Sequence, residues 1–508
     1  MGSYFIRLLL LLLFLAAPLH SQRELELTIL HYNDFHARNT TGELTVLDEG
    51  GERIRVPVGG SAVLKAYVDR YRDSLQNVLL LHAGDDFQGS PVCSITRGAS
   101  QFELLELLQP DAMVVGNHEF DYGADRLRAL LPTVTFPVIS ANLWDKARGT
   151  PFVPRYRLLR IQGVTIGIIG LSPPDLPSLT MRDNVKDIEV LDPIMTTRHT
   201  MNELRNTHGA KMCIILSHMG VEADSVLAEH VPGITVIVGG HSHTALFEAK
   251  HVNAVPIVQA GAHGKWLGKL DLRIDAGTGL LLSAAGELIP TRADSITPDP
   301  VVAEKVRELE MLVDEGMREV IGTLEVDWVH DRHTESNMGN WQADVMREFA
   351  AVDIAFQNSG AIRKNLPAGP ITLRDMWEIS PFGNDFVTFD VSGVQLLGVL
   401  RYQATESREF CQVSGLRYSY DHNAPADQAL VVSVGGEQLE LTRQYSIVTN
   451  RYVASHLHDV FGLPEADISV TPVLPVHVDR DVFIDAIRRQ HSVRSRIDGR
   501  ISILGERR

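Results

Sequence analysis

The first half of the chain alternates between short apolar runs and segments of helical periodicity. Five of the apolar runs end in Asp, His or Asn, and helical stretches such as Ala124–Leu131 and Met195–His208 separate them. This alternation predicts an α/β layered domain in which strands and helices pack on each other. The carboxyl ends of the strands in such a domain meet at one edge, so we expect the polar residues after the runs to share one cleft.

The residues that follow the five runs have the chemistry of a metal site. In chain order they are Asp34, His36, Asp85, Asn117, His218, His241 and His243. One His after a strand is more often an ordinary loop residue, but five strand ends of this kind together favour metal binding. Because no thiolate is among them, they suit divalent ions such as Zn²⁺, Mn²⁺ or Co²⁺. These candidates are too many for one ion and suffice for two ions that share a bridging carboxylate.

The third run carries a second polar pair beside its predicted ligand. Ala112–Val115 stops at Gly116, and His118 and Asp121 follow closely. An imidazole oriented by a carboxylate is typical of a catalytic acid or base next to a hydrolytic metal site. Taken alone, the Asn-His pair could equally be an ordinary turn, and the other four strand ends favour the catalytic interpretation.

Composition restricts the class of protein and its partners. The 508 residues are 44% hydrophobic and 22% charged, which is typical of a soluble globular chain with two or three domains. A net charge of −17 argues against a nucleic-acid polymer or an anionic membrane as partner. An anionic substrate would therefore need local cations, which bound metal ions can supply. The three cysteines cannot all pair with one another, so buried thiols are expected.

The two ends of the chain bear on its location. Arg7 followed by the apolar run Leu8–Ala17 is typical of a secretory signal peptide, which we assign to residues 1–22. A buried first helix is the alternative. Residues 501–508 carry no hydrophobic tail of the kind removed from lipid-anchored proteins. We expect an exported protein, periplasmic or extracellular, with no stable membrane anchor in the mature chain.

A change in composition and sequence pattern near residue 300 predicts a domain boundary. Three prolines precede Val301–Val320, a charged segment of helical periodicity. The expected divisions are a first domain with the metal site at 23–295, a linker helix at 296–320 and a second domain at 321–508. The alternative is that the segment is a surface helix of the first domain.

One cation and two aromatic residues of the second domain are candidates for substrate binding. A strand that begins at Val352 runs into a glycine-containing loop that presents Arg363, and a guanidinium there can clamp phosphate or carboxylate. Alone, it would be a surface arginine. Phe382 and Phe461 each stand next to a glycine in a predicted loop. Such a ring usually fills a core, but two rings that face each other form a slot for a planar base.

Several motifs resemble those of a known family. The segments NDFH, GDDFQGSP, GNHEFDYG, SHMG and GGHSH are similar, in order and spacing, to the five metal motifs of the calcineurin-like metallophosphoesterases. The segments SNMGNWQADVM, NSGAIR, ITLRDMWEISPFGNDF and QVSGLRYSYD resemble the second domain of the two-domain 5′-nucleotidase and UDP-sugar hydrolase family. The resemblance covers nearly the whole mature chain. It implies an N-terminal four-layer α/β/β/α metallophosphoesterase sandwich and a C-terminal α/β substrate-binding domain.

The resemblance also implies roles for the metal ligands and the polar pair. One ion would be held by Asp34, His36, Asp85 and His243, and the other by Asp85, Asn117, His218 and His241. His118, oriented by Asp121, would stabilise charge on the phosphoryl group and protonate the leaving oxygen. A metal-bound hydroxide would attack phosphorus in line. Rotation of the second domain about the linker helix would carry substrate to the metals.

For the substrate, the resemblance implies contacts from the second domain. The implied contacts are phosphate with Arg363, base with Asn358, Phe382 and Phe461, and ribose with Asp467. The chain departs from the family at three places. Residues 456–461 replace a glycine-rich run at the second ring, and residues 358–363 replace part of the usual Gly-Gly-Gly stretch. Thr334 stands where relatives often carry an arginine, with Arg332 two residues earlier.

Together these features predict an exported metal-dependent phosphohydrolase that releases phosphate from 5′-nucleotides. Alternatives with the same site are a UDP-sugar hydrolase and a 2′,3′-cyclic-nucleotide hydrolase. The thiosulfohydrolase chemistry of a sulfur-oxidation relative is disfavoured, since that branch acts on a carrier-bound cysteine and has a different region around the base. A non-catalytic exported nucleotide-binding protein is the last alternative, and the presence of both His118 and Asp121 argues against it.

Overall fold

The computed structural model of this protein describes residues 24–47, 51–407, 409–426 and 428–505. The predicted signal segment, residues 1–22, lies outside these ranges. Within them, no helix is both long and apolar enough to cross a membrane. The thiols of Cys93, Cys213 and Cys411 are buried and unpaired, as expected.

Two six-stranded sheets form the centre of the first domain. The strands of this domain are β1 (Glu24–Tyr32), β2 (Gly42–Leu47), β3 (Arg53–Val58), β4 (Val78–His82), β5 (Ala112–Val114), β6 (Val138–Ile139), β7 (Leu143–Asp145), β8 (Thr150–Pro151), β9 (Tyr156–Ile161), β10 (Val164–Leu171), β11 (Ile188–Val190), β12 (Met212–Ser217), β13 (Val236–Val238), β14 (Lys250–Val252), β15 (Val255–Val258), β16 (Trp266–Asp275) and β17 (Leu281–Pro290). The first sheet has the order β17-β16-β1-β4-β5-β6, and the second has the order β14-β15-β13-β12-β10-β9. Smaller sheets join β11, β7 and β8, and β2 with β3.

Parallel pairing joins the strands that precede the predicted ligands. In the first sheet β1 pairs with β4 and β4 with β5, and in the second β12 pairs with β13. Side chains of β1 alternate between two apolar layers: Leu27 and Ile29 face the other sheet, while Leu30 and Tyr32 face the helices. A strand covered on both faces reads as a continuous apolar run, which is why the sequence pattern revealed it.

Helices cover the outer face of each sheet. They are α1 (Ser61–Ser74), α2 (Pro91–Thr96), α3 (Ala99–Leu108), α4 (Ala124–Leu130), α5 (Leu176–Leu179), α6 (Pro193–His208) and α7 (Val221–His230). Leu64 of α1 and Phe102 of α3 pack on the first sheet, and Leu204 of α6 packs on the second. Asp192 caps the start of α6, and Gly209 ends it in the left-handed conformation. The order helix, sheet, sheet, helix confirms the predicted four-layer sandwich.

The segment between the two domains packs on the first of them. Helix α8 (Pro300–Met311) is capped by Asp299, whose carboxylate accepts a hydrogen bond from the Val302 amide. Val302 and Leu309 pack with Val92 and Leu104 in one apolar cluster. Helix α9 (Asp314–Met317) follows. Helix α8 thus packs on the first domain and lies in the chain between the two domains.

The second domain is an α/β unit around a five-stranded sheet. Its strands are β18 (Val320–Leu324), β19 (Ile354–Asn358), β20 (Gly369–Thr372), β21 (Phe386–Ser392), β22 (Cys411–Ser414), β23 (Leu416–Asp421), β24 (Leu430–Val434), β25 (Glu437–Gln438), β26 (Gln444–Asn450), β27 (Thr471–Pro472), β28 (Ser492–Val493) and β29 (Ile501–Leu504). Its helices are α10 (Asn337–Ala350), α11 (Leu373–Ile379), α12 (Gly393–Thr405), α13 (Arg451–Ala454), α14 (Leu457–Phe461) and α15 (Asp479–Gln490). The central sheet has the order β22-β19-β26-β21-β27, beside the smaller sheets β20-β18-β28 and β25-β24-β23-β29.

Two apolar clusters cover the faces of this central sheet. On one face, Met338 of α10 and Phe483 of α15 pack with Val448 of β26. On the other face, Leu396 of α12 packs with Phe356 of β19. The predicted α/β class of the second domain is therefore confirmed.

Candidate metal centre and interdomain cleft

The predicted ligands converge at one edge of the first domain, and we call these seven side chains the metal edge. The buried members are Asp34, His36, Asp85, Asn117 and His218. His241 and His243 are partly exposed on the loop after β13. Three overlapping groups of residues have ligand atoms within 4.8 Å of one another: Asp34 with His36 and His243, His36 with Asp85 and His118, and Asp85 with His218 and His241.

The backbone of the metal edge is strained. The residues Asp34, His36, Asp85, His241 and His243 all have φ between 50° and 76°. This left-handed conformation costs a residue other than glycine about 1 kcal/mol or more. Hydrogen bonds between the loops offset part of that cost, because the Asp34 amide donates to the Gly84 carbonyl at 2.9 Å and the His36 amide to the Asp85 carbonyl at 3.1 Å. Strain collected in this way is typical of a functional site.

Three of the ligand atoms lack the partners that buried polar atoms need. Asp34 Oδ1, Asn117 Oδ1 and His218 Nε2 are buried and make no hydrogen bond. His218 Nε2 lies only 3.0 Å from Asp85 Oδ2, and His243 Nε2 lies 3.3 Å from Asp34 Oδ1. Burial alone would lower the pKa of His218, but Asp85 and Asp34 raise it to about 10. Carboxylates, imidazoles and an amide oxygen around a position that favours positive charge fit divalent cations.

Glu119 joins two of the ligand loops, and the sequence analysis missed it. Its Oε2 accepts hydrogen bonds from the amides of Gly116 (2.7 Å) and Asp85 (3.1 Å). Its Oε1 accepts from the amides of Asp86 (2.8 Å) and Phe87 (3.3 Å). One buried carboxylate thus fixes the loop of Asp85 against the loop of Asn117. Its place inside the motif GNHEFDYG was the available signal.

His118 lies beside the metal edge with its ring fixed by Asp121. Nδ1 of His118 lies 2.8 Å from Asp121 Oδ2, and the His118 amide donates to Asp85 Oδ1 at 2.9 Å. Asn184 donates its side-chain amide to the Asp121 carbonyl at 2.9 Å. Burial alone would lower the pKa of His118, but Asp121 and Asp85 raise it above its ordinary value. The imidazole can therefore carry a proton on Nε2, the ring nitrogen that is not bonded to Asp121.

A cleft between the two domains opens onto the metal edge. Its lining includes His118 from the first domain and Arg332 and Arg363 from the second. Arg363 Nη2 lies 3.4 Å from His36 Nε2. Burial, and then the charge of Arg332, lower the pKa of Arg363 to about 10. Two guanidiniums beside the metal edge make this cleft an anion site. Arg332 was not assigned to the site from the sequence, although its position near Thr334 was a signal.

Phe382 lies at the junction of the cleft and the metal edge. Its ring stacks on the His118 ring with centroids 5.8 Å apart and an interplanar angle of 26°. The guanidinium carbon of Arg363 lies 5.8 Å from the centroid of the Phe382 ring. Phe382, His118 and Arg363 therefore form one continuous wall of the cleft.

Asn358 also lines the cleft, where protein groups already bind its amide. It donates to Glu409 Oε1 at 3.0 Å and accepts a hydrogen bond from Asn450 at 2.7 Å. Glu409 lines the cleft too and accepts from the Gly360 amide at 2.8 Å. The sequence analysis did not select Glu409, because its proximity to Asn358 arises from tertiary packing.

Phe461 does not face Phe382, and the prediction that these two rings form a slot is wrong in this structure. Phe461 is 1% exposed. Its ring centroid lies 4.9 Å from that of Phe356 and 6.4 Å from that of Phe389. The physical reason is the amphipathic pattern of α14, which buries Leu457, Val460 and Phe461 together. Asp467 ends a short 3₁₀ turn; its side chain lies outside the part that the structure describes, so its contact with ribose stays a prediction.

Side-chain bonds join the two domains on one side of the cleft. Tyr452 donates its hydroxyl to the Ser178 carbonyl at 2.8 Å, and His456 Nε2 lies 2.9 Å from the Pro177 carbonyl oxygen. Arg182 donates to Glu465 Oε2 at 2.8 Å and to Asp459 Oδ2 at 3.2 Å. The segment 177–182 of the first domain is therefore attached to the second domain at several points.

Comparisons with known proteins place both halves of the chain. Residues 27–245 match the family described as calcineurin-like phosphoesterase, and residues 320–462 match the 5′-nucleotidase C-terminal domain. The 5′-nucleotidase of Homo sapiens is 30% identical over 487 residues, covering 85% of this chain and 83% of that protein. The crystal structure of a 5′-nucleotidase precursor from Thermus thermophilus is 32% identical, with a TM-score of 0.86 over 95% of this chain and all of that one. Endonuclease YhcR of Bacillus subtilis is 29% identical over 85% of this chain, which spans 37% of that longer relative.

Proposed function

Because this chain belongs to the family of two-domain 5′-nucleotidases with a calcineurin-like metallophosphoesterase domain, and is a hydrolase of that family, we propose that its substrates are 5′-nucleotides. One observation carries the proposal: the metal edge opens into the same cleft as two arginines and a stacking aromatic ring. Metal ions and arginines suit the phosphate, and an aromatic ring suits the nucleobase.

In this proposal the metal edge holds two divalent ions. One would be bound by Asp34, His36, Asp85 and His243, and the other by Asp85, Asn117, His218 and His241, with Asp85 shared. The ligand types suit Zn²⁺, Mn²⁺ or Co²⁺. When bound, such ions supply Lewis acidity toward the phosphoryl oxygens and activate a water molecule as the nucleophile.

The side chains beside the metal edge would complete the reaction. Arg363, with Arg332 next to it, binds the phosphoryl oxygens and orients the phosphorus toward the metal edge. His118 donates the proton on Nε2 to the leaving 5′ oxygen, while Asp121 holds Nδ1 and fixes the ring. In a protein with a net charge of −17, these local cations are what allow an anionic substrate to approach.

The part of the cleft beside Phe382 would hold the nucleoside. Phe382 offers its ring for stacking on the base, and a base–aromatic stack contributes roughly 1–3 kcal/mol. Asn358 and Glu409 offer an amide and a carboxylate for polar contacts with the base edge or the ribose. Phe461 has no part in this proposal, since its ring fills the core.

We further propose that the mature protein is exported, with the domain divisions 23–295, 296–320 and 321–508. The basic and apolar pattern of residues 1–22 supports export. Sequencing the N-terminus of protein recovered from the periplasm or medium should find a start near residue 23. Protein that stays in the cytoplasm with an intact N-terminus would contradict export.

Phosphate release across a substrate panel tests the proposed activity. The protein is stripped of metal, reloaded with Mn²⁺ or Zn²⁺, and offered AMP, UMP, ATP, UDP-glucose, 2′,3′-cyclic AMP and bis(p-nitrophenyl) phosphate. We expect the 5′-monophosphates to be hydrolysed fastest and kcat to fall about 100-fold or more in His118→Ala, the range lost with a general acid. His230→Ala, a change to an exposed histidine of α7, serves as the matched control.

The other outcomes of this panel separate the alternatives. Fastest hydrolysis of UDP-glucose or of the cyclic nucleotide would replace the 5′-nucleotide with one of those substrates. Hydrolysis of the generic diester alone would contradict nucleotide recognition. No hydrolysis of any compound after reloading would favour a binding protein without turnover.

A further inference from the structure

A segment of the first domain lines the cleft between the two domains. Leu179, Thr180 and Met181 contribute to the lining, and the apolar side chains of Leu179 and Met181 are partly exposed there. These residues extend from α5 toward the second domain. An apolar surface held open to a cleft provides contact for an apolar or planar ligand.

Tyr452 of the second domain meets this segment. Tyr452 lines the same cleft, and its hydroxyl donates to the Ser178 carbonyl at 2.8 Å. Its ring also packs on the His456 ring, with centroids 4.6 Å apart, and His456 in turn contacts the Pro177 carbonyl oxygen. The position of segment 177–182 is therefore set by bonds to the second domain as well as by its own chain.

Because the ring of Phe461 lies in the core and not in the cleft, segment 177–182 becomes the candidate for covering the base. The second domain contributes Phe382 and Tyr452 as aromatic rings, and Phe461 is buried in the core. A planar base that stacks on Phe382 needs a cover on its other side to be removed from water. Leu179 and Met181 are apolar residues that the first domain contributes to the cleft, in addition to the ring of Tyr122.

We propose that the base slot of this protein is built across the domain boundary, with Phe382 and Tyr452 on one domain and Leu179 and Met181 on the other. This inference rests on the proposed nucleotidase function and adds its specificity-determining residues. Its consequence is that base recognition and phosphate placement occur in the same closed arrangement of the domains. Leu179 and Met181, although they belong to the catalytic domain, determine how strongly the base contributes to binding.

A comparison of two substrates tests the inference. AMP and ribose 5-phosphate share the phosphate and the sugar, and only AMP has a base. The readout is the ratio of KM for AMP to KM for ribose 5-phosphate in the full-length metal-loaded protein. We expect this ratio to rise about tenfold in the double variant Leu179→Ser and Met181→Ser, the range for loss of an apolar pocket contact. Met195→Ser, at a methionine exposed on α6, should leave the ratio at the wild-type value.

Two changes at Tyr452 separate the ring from its hydroxyl bond. Tyr452→Leu removes the aromatic surface, so the ratio should rise as in the double variant. Tyr452→Phe keeps the ring and removes the bond to Ser178. It should raise the ratio less than Tyr452→Leu, and melting temperatures will identify variants that fail to fold.

Three results would overturn the inference in distinguishable ways. A wild-type ratio near one means that the base is not recognised at all, which also rejects the proposed nucleotidase. A wild-type preference for AMP that survives in the double variant rejects the cross-domain slot alone. An equal rise in KM for both substrates would show that the segment acts on the phosphate or on domain closure and not on the base.

Discussion

The metal edge and the base slot are assembled by different means. The metal edge takes its side chains from strand ends of one domain, and backbone hydrogen bonds and the Glu119 carboxylate hold their loops together. The base slot takes side chains from both domains, and contacts such as the bond between Tyr452 and Ser178 hold it together. One region is assembled within a single domain, and the other depends on how two domains meet.

This difference follows from what each region must do. Phosphoryl transfer requires the reacting groups to be placed to within a fraction of an ångström, and a displacement of about 1 Å can cost about 100-fold in rate. Apolar contact with a base is not directional and tolerates larger shifts. A rigid metal edge and an adjustable base slot are therefore a physically sensible division. The predictions that follow test this contrast, beginning with the largest expected effect.

Gly116→Ala should damage the metal edge severely. A Cβ at this position would overlap Asp85 Oδ1 and lie 2.8 Å from the Asp85 amide nitrogen. We expect kcat to fall about 100-fold or more, because Asp85 must move. Gly398→Ala on α12, where a Cβ meets nothing within 4 Å, is the matched control and should retain kcat. Full activity in Gly116→Ala would contradict the rigidity of the metal edge.

Glu119→Gln should weaken the hydrogen bonds that hold the loops of the metal edge together. The new amide group would point hydrogen-bond donors at backbone amides that now donate to the carboxylate. We expect the free energy of unfolding to fall by about 1–3 kcal/mol and metal affinity to fall with it. Denaturant unfolding and metal titration measure the two effects, with exposed Glu229→Gln as the control. An unaltered metal affinity would mean that the loops hold their positions without Glu119.

Phe461→Leu and Phe382→Leu should give opposite results. Phe461 packs on Phe356 in the core, so its truncation should lower the free energy of unfolding by about 1–2 kcal/mol. The KM of the Phe461→Leu variant for AMP should stay at the wild-type value. Phe382→Leu should raise the KM for AMP with little change in unfolding. A large rise in KM from Phe461→Leu would place that ring in the slot after all.

Asp479→Asn should change the pH dependence of stability in the second domain, which contributes Phe382 and Tyr452 to the base slot. The Asp479 amide donates to the Asn384 carbonyl at 2.7 Å, close to Phe382. Burial raises the pKa of Asp479 to about 7. The folded state thus keeps a proton that the unfolded state loses near its ordinary pKa, so the contribution of Asp479 to stability falls as pH rises from about 4 to about 7.

The asparagine variant should lack this part of the decline. The free energy of unfolding of the variant minus that of wild type, measured with denaturant, should be larger at pH 8 than at pH 4. Asp485→Asn, at an exposed position of α15, should follow the wild-type curve. A parallel pH dependence in wild type and Asp479→Asn would show that Asp479 does not titrate in this range.

The contrast between the two regions also explains what sequence could predict. The apolar runs before Asp34, Asp85 and Asn117 are local signals, and parallel pairing of β1, β4 and β5 brings their ends together. The α/β layering followed from the same runs, and the four-layer order was implied by the resemblance to the metallophosphoesterases. Glu119 was not predicted from the sequence because its partners are backbone amides, and no sequence pattern indicates such contacts.

The base slot was harder to predict because its members come from distant parts of the chain. Phe461 has the same glycine neighbour as Phe382, yet the helix α14 turns its ring into the core. Tyr452 and Leu179 are adjacent to the cleft only after the two domains have come together. Patterns along the chain cannot distinguish these cases, since the outcome depends on domain packing.

The most direct test of the account is the number of metal ions that the metal edge binds. Bound Mn²⁺ or Zn²⁺ per chain would be measured in wild type, in His36→Ala, in His241→Ala and in Asp85→Asn. The account predicts two ions in wild type, one in each histidine variant and weak binding of both ions when the shared Asp85 is changed. A single ion in wild type, or two tightly bound ions in Asp85→Asn, would contradict it.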